Sequence, residues 1–220
     1  MARMEAASLP DRPDGEIGKR LRARREEAGL SLRKLASRLD ISPSALSQIE
    51  TGRSRPSVRT LYAIVTELGM SFDELFPSTA GRSGRGRDSG ITLHGLGHGL
   101  KEIVTRADER NIIEMASGVT WERLNPTGDH DIDFLQATYD VGGASSAGDS
   151  YMRHSGREYG LVLEGRLKVT VGFDEYELEP GDSICFDSQW PHRLETLGDV
   201  PVKAIWFVIG RYGSDARADW

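Results

Sequence analysis

Apolar positions between residues 17 and 76 recur at helical spacing. Ile17 and Leu21 open a first helix, and Gly29 stands where a helix ends in the left-handed conformation. Leu32, Leu35, Ala36 and Leu39 follow at i, i+3, i+4 and i+7, one apolar stripe behind Ser31 as N-cap. Leu46 and Ile49 mark a third helix, which Ser42 would cap and Pro43 would start at the first helical position. Leu61, Ile64, Val65 and Leu68 repeat the stripe, ended by Gly69. The capping-box pattern of Ser71-Phe72-Asp73-Glu74 opens a last short element. The pattern predicts a five-helix bundle over 17–76 behind a tail at 1–16. Residues 77–100 lose all periodicity in GRSGRGRDSG and read as a flexible linker, in which Arg82, Arg85 and Arg87 are solvated or near DNA. From 101 to 212 the period becomes two. Leu167, Val169 and Val171 alternate with Lys168 and Thr170, and similar runs occur at 134–139, 160–163, 183–186 and 203–209. Turn residues at Glu164-Gly165, Gly172, Pro180-Gly181-Asp182 and Gly198-Asp199 separate these runs, as in an antiparallel barrel or sandwich. A tail at 213–220 completes a multi-domain α plus β chain.

Composition narrows the class of function. Of 220 residues 38% are hydrophobic and 28% charged, and no run of about 18 apolar residues could cross a membrane. The first sixteen residues lack the apolar stretch of a secretory signal, and the single Cys185 can form no intrachain disulfide. A cytoplasmic protein is expected. The net charge of −6 is unevenly distributed. Residues 1–87 hold 16 Lys and Arg against 11 Asp and Glu, a net of +5, whereas residues 88–220 hold 12 against 23, a net of −11. A basic half suits phosphates, and an acidic half would be repelled by them.

Residues 29–57, GLSLRKLASRLDISPSALSQIETGRSRPS, carry the mechanics of a helix-turn-helix. Ala36 is small enough for a steep helix crossing, and Leu46 and Ile49 anchor the recognition helix so that its other face is free for the major groove. Ser42, Leu46, Ser47, Ile49, Glu50, Gly52 and Pro56 stand at the spacing of the xenobiotic-response-element family of regulators, related to phage repressors, which this stretch resembles over 17–76. The resemblance places Pro43, Ser44, Ser47 and Gln48 on the groove-facing surface, with Gln48 suited to pair bidentately with adenine. It places Arg33, Ser42, Arg53 and Arg55 on phosphates. Asp40 stands where the turn usually has Gly, a position Asp tolerates, and Arg24 stands where the first helix often has an apolar residue.

Residues 150–196 resemble the cupin family, whose fold is an antiparallel β-barrel, the double-stranded β-helix. His154, Glu158 and Gly165 keep the spacing of its first motif, and Pro180-Gly181-Asp182 with Pro191-His192 match its second. Met152 replaces the first histidine, and Thr196 replaces an Asn. On a strand, 152 and 154 point the same way, into the barrel. The resemblance implies a site of His154, Glu158 and His192 for a divalent metal (Fe, Zn, Mn or Ni) or for a polar effector hydrogen-bonded to the same groups. Met152 and Trp190 are weaker candidates for the effector pocket. Tyr151 and Phe186 read as packing, and His94, His98 and His130 as incidental.

Together these features predict a ligand-responsive DNA-binding transcription regulator, a repressor acting as a homodimer on a double-stranded operator, with no catalytic residues. The alternative is a two-His, one-Glu metal enzyme resembling hydroxypropylphosphonic acid epoxidase, which shares this domain order. Because the linker can transmit little force, communication between the domains is expected to run through the dimer arrangement.

Overall fold

Three serines start three of the helices. In the computed structural model, which describes residues 13–76, 104–125 and 132–210, the side chains of Ser31, Ser42 and Ser57 accept the N–H groups of Lys34, Ala45 and Thr60. Each cap satisfies a donor that the first helical turn leaves without a partner. The helices are α1 (Pro13–Glu27), α2 (Leu32–Arg38), α3 (Pro43–Glu50) and α4 (Val58–Glu67). Helix α1 thus begins four residues ahead of Ile17, on a proline. Asp40, at φ 54°, is the one residue other than glycine with positive φ among the described residues, so it takes the turn's left-handed position. Gly18 lets α1 lie directly on α3: a Cβ there would sit 2.5 Å from the carbonyl oxygen of Ile49.

The expected fifth helix is corrected to a single 3₁₀ turn, Phe72–Leu75. Its capping box forms: Ser71 N–H donates to Glu74 Oε1 at 2.9 Å and Glu74 N–H to Ser71 Oγ at 3.3 Å. The box specifies a start but not a length, and Phe72, Leu75 and Phe76 are all buried within that one turn. The bundle therefore has four helices.

Among the described residues the C-terminal part has nine strands: β1 (Ile112–Glu114), β2 (Val119–Arg123), β3 (Ile132–Tyr139), β4 (Arg157–Glu164), β5 (Arg166–Val171), β6 (Asp174–Leu178), β7 (Ser183–Asp187), β8 (His192–Leu197) and β9 (Val202–Ile209). They form a six-stranded sheet in the order β1-β2-β3-β9-β4-β7 and a three-stranded sheet in the order β6-β5-β8. Every strand pair is antiparallel. Strands β3 and β9 pair along their full length and send Leu135, Ala137, Tyr139, Val202, Ala204, Trp206 and Val208 to the interior, as period-two patterning requires. Around Met152 the expected strand is absent. Met152 pairs with His192 through one isolated bridge, yet both Met152 and His154 are buried.

The two parts share a single core, in which buried residues run without interruption from Ile17 to Val208. Trp121 of β2 receives Phe72 edge-on at 5.3 Å and Tyr62 of α4 at 5.5 Å. The Arg123 guanidinium lies over the Phe76 ring at 5.6 Å. Backbone bonds cross as well: Ala116 N–H donates to Pro56 C=O, and Arg59 N–H, in the first turn of α4, donates to Ser145 C=O, both at 3.0 Å. The expectation that the domains communicate only through a dimer is corrected by this direct contact. The expected linker at 77–100 lies outside the described residues.

Candidate DNA-reading face and barrel site

Helix α3 is held from behind. Leu46, Ile49 and Glu50 are buried. Glu50 receives a bidentate pair from Arg25 of α1, with Nε to Oε1 at 2.6 Å and Nη2 to Oε2 at 2.9 Å. The third arm of the fork, Nη1, donates to Leu30 C=O at 2.9 Å. One guanidinium thus fixes α3 to α1 and to the chain entering α2; the bond to Glu50 raises the already high pKa of Arg25 further, against its burial. Sequence reasoning placed Glu50 in a motif but did not find its partner.

The opposite face of α3 is open. Pro43, Ser44 and Gln48 are exposed and Ser47 is half-buried, a spacing that groups all four on one side of the helix. Arg33, Ser42 and Arg53 are exposed around it. Arg55 is exposed too, but its Nη2 lies 2.5 Å from Oε2 of Glu114 on β1, so a barrel carboxylate already occupies it.

In the barrel, Glu158 comes from β4, His192 from the start of β8, and His154 from the segment between β3 and β4. Their ligand atoms all lie within 4.8 Å of one another, and all three side chains are buried. His154 Nδ1 is 2.9 Å from Ser155 C=O and His192 Nδ1 is 2.8 Å from Trp190 C=O. A carbonyl only accepts, so these partners assign the proton of the neutral ring to Nδ1 and leave Nε2 as a lone pair. Both Nε2 atoms face Glu158 Oε1, at 2.8 and 3.1 Å, and none of the three atoms has a partner in hydrogen-bond geometry. Acceptor atoms converging in a buried place require either protons or a cation between them. The donor set therefore fits a divalent metal: two imidazoles and a carboxylate suit Fe, Zn, Mn or Ni.

The surroundings are arranged for a charged carboxylate. Trp206 of β9 donates Nε1–H to Glu158 Oε2 at 2.6 Å. Burial opposes the charge on Glu158, but imidazoles that carry a proton on Nε2 outweigh it and hold the carboxyl well below the usual range. Burial would lower His192, but Glu158 outweighs it and raises the ring, while burial and the Glu158 charge push the Tyr139 hydroxyl up. Trp206 packs so closely on Gly160 that a Cβ there would lie 2.1 Å from its ring.

Met152 lines the cavity beside Glu158. Trp190 does not, and is corrected: its side chain is 58% exposed and lies over Gly172 on the outside. Only its carbonyl serves the site. Tyr151 is exposed and Phe186 is buried 5.0 Å from the His192 ring. His94, His98 and His130 lie outside the described residues. Two wall residues went unnoticed in the sequence, because they belong to the other domain: Val58 and Tyr62 of α4.

Residues 21–75 match the helix-turn-helix family and residues 136–208 match the cupin domain. The chain thus carries a helix-turn-helix match ahead of a cupin match. It is similar along most of its length to the HTH-type transcriptional regulator PuuR of Escherichia coli K12, at 28% identity over 179 residues, 80% of this chain and 85% of that protein. A helix-turn-helix family transcriptional regulator from Vibrio cholerae has the same fold, with a TM-score of 0.60 at 23% identity over 89% of this chain and 96% of its own. Hydroxypropylphosphonic acid epoxidase from S. wedmorenis aligns over 89% of this chain and 98% of its own at a TM-score of 0.40 and 22% identity, too distant a likeness to bear on chemistry.

Proposed function

We propose that the chain is a ligand-responsive transcription regulator: α3 reads an operator, and the barrel binds a small effector, a divalent metal or both at His154, Glu158 and His192. The observation that carries this reading is the exposed Ser44–Gln48 face of α3 set on the same core as a buried, convergent donor set. The relatives named as regulators support it. A metal enzyme would have no use for exposed Gln48 and Arg53 beside a bound barrel. A metal held by the three donors would supply an electrophilic anchor for an oxygen or nitrogen of the effector. Met152 and the surrounding aromatic rings would contact its apolar part.

One recognition helix reads too few base pairs to select a site, so we infer a homodimer with half-sites roughly 34 Å apart. The outer face of the large sheet supports this. Tyr159 and Leu161 are exposed on β4 opposite Phe207 and Ile205 of β9, an apolar surface suited to a second barrel. Repression in the cytoplasm is the simplest use of such a protein.

The test is a selection of bound duplexes followed by variants. Arg53→Ala should weaken binding to every sequence and flatten its salt dependence, whereas Gln48→Ala should cost about 1–3 kcal/mol mainly at one base pair. Equal weakening of selected and random DNA by Gln48→Ala would remove its base-reading role. In parallel, elemental analysis of the purified chain and of the triple variant His154→Ala, Glu158→Ala, His192→Ala should find near-stoichiometric divalent metal in the first and none in the second. Equal metal in both would move the site elsewhere.

A further inference from the structure

The barrel cavity has a wall that does not belong to the barrel. Its lining includes Trp121, Tyr139, Met152, Glu158 and Trp206 from the cupin domain, and it is closed by Val58 and Tyr62 of α4. The Tyr62 ring stacks on the His154 imidazole, with centroids 4.4 Å apart and planes 14° from parallel. Tyr62 is only 5% exposed and also meets Phe72 and Trp121 edge-on. With α4 seated, the cavity measures about 20 Å³, room for one water or a bare ion and little more. An organic ligand needs several times that, and most of the remaining wall is strand, paired on both sides in β2, β3, β4 and β9 and on one side in β8. The α4 wall is held by side-chain packing, by the Arg59 N–H to Ser145 bond and by the neighbouring Arg55–Glu114 pair.

We infer that the effector site is completed by the DNA-binding domain: Tyr62 is a positioning residue that closes the site over His154, and a ligand larger than an ion enters only by moving α4. This rests on the proposed reading of His154, Glu158 and His192 as the ligand site. The closed form then taxes such a ligand by the fraction of time that α4 is open. Coupling to DNA needs no relay, because α4 belongs to the bundle that carries α3, and moving it separates Arg55 from Glu114.

Cobalt(II) bound to the full-length chain, with imidazole as the added ligand, provides the test. Binding of each is read from the cobalt absorption bands, and α4 is followed by amide hydrogen exchange over residues 56–67. In the parent, imidazole should bind weakly and raise exchange in α4. Tyr62→Leu, which keeps apolar bulk but not the stacked ring, should bind imidazole at least tenfold more tightly with a much smaller change in exchange. Tyr62→Phe should behave as the parent. Imidazole binding to the parent with α4 exchange unchanged, or equal affinity in parent and Tyr62→Leu, overturns the inference while leaving the metal site intact. Failure of the parent to bind cobalt overturns the reading of the site itself, and this inference with it.

Discussion

Glu50→Ala is expected to leave the whole chain barely stable or unfolded, through the helix-turn-helix domain. The substitution strands the Arg25 guanidinium in a buried position that its bidentate bonds to Glu50 now satisfy. Removing one partner of a buried pair costs about 3–5 kcal/mol, against a total stability of roughly 5–15 kcal/mol for an ordinary domain. Helical circular dichroism should fall, the thermal transition should drop or vanish, and DNA binding should be lost although no groove-facing residue has changed. The double variant Arg25→Met, Glu50→Leu should regain much of the stability, because it leaves no unpaired charge and fills a similar volume. A Glu50→Ala protein that melts like the parent would show that the pair contributes orientation and no stability.

Trp206→Phe is expected to weaken divalent metal binding about 10–100-fold, the usual effect of losing a partner that orients a ligating group. The phenyl ring keeps most of the packing against Gly160 but removes the Nε1–H that holds Glu158 Oε2 at 2.6 Å. Freed from that bond, the carboxylate can rotate away from the two histidine Nε2 atoms. Competition with a chelator of known affinity measures the loss. Gly160→Ala should act in the same direction from the other side, since its new methyl group displaces the indole. Unchanged metal affinity in Trp206→Phe would mean that the histidines alone fix the geometry.

The helical domain was legible because its signals are local. Ser31, Ser42 and Ser57 cap the turns they precede, Pro43 starts α3, and Asp40 carries positive φ in the turn. The cupin donors were legible through motif spacing, and strand alternation placed the buried faces of β3 and β9. What escaped depends on contacts between residues far apart in the chain. Arg25 reads in sequence as one more solvated cation, and its partner lies 25 positions away. Trp206 reads as a core aromatic until Glu158, 48 positions away, is placed against its indole nitrogen. Tyr62 sits within a helical run of apolar residues, and nothing nearby in the chain points to His154. Two of the differences from expectation have a similar origin. The capping box at Ser71 signals a start and no length, and Trp190 adjoins the inward His192 but turns only its backbone carbonyl that way.

Because Phe72, Phe76 and Tyr62 pack on Trp121 and Arg123, the functional boundary between the two domains is not a boundary in folding. The chain should melt in one cooperative transition rather than two, and destabilising either half should lower the melting temperature of both. A fragment cut in the 77–100 segment would bare Trp121 on the barrel side and Phe72 on the helical side, exposing two matching apolar scars. Such fragments should be poorly soluble apart and should reassociate when mixed.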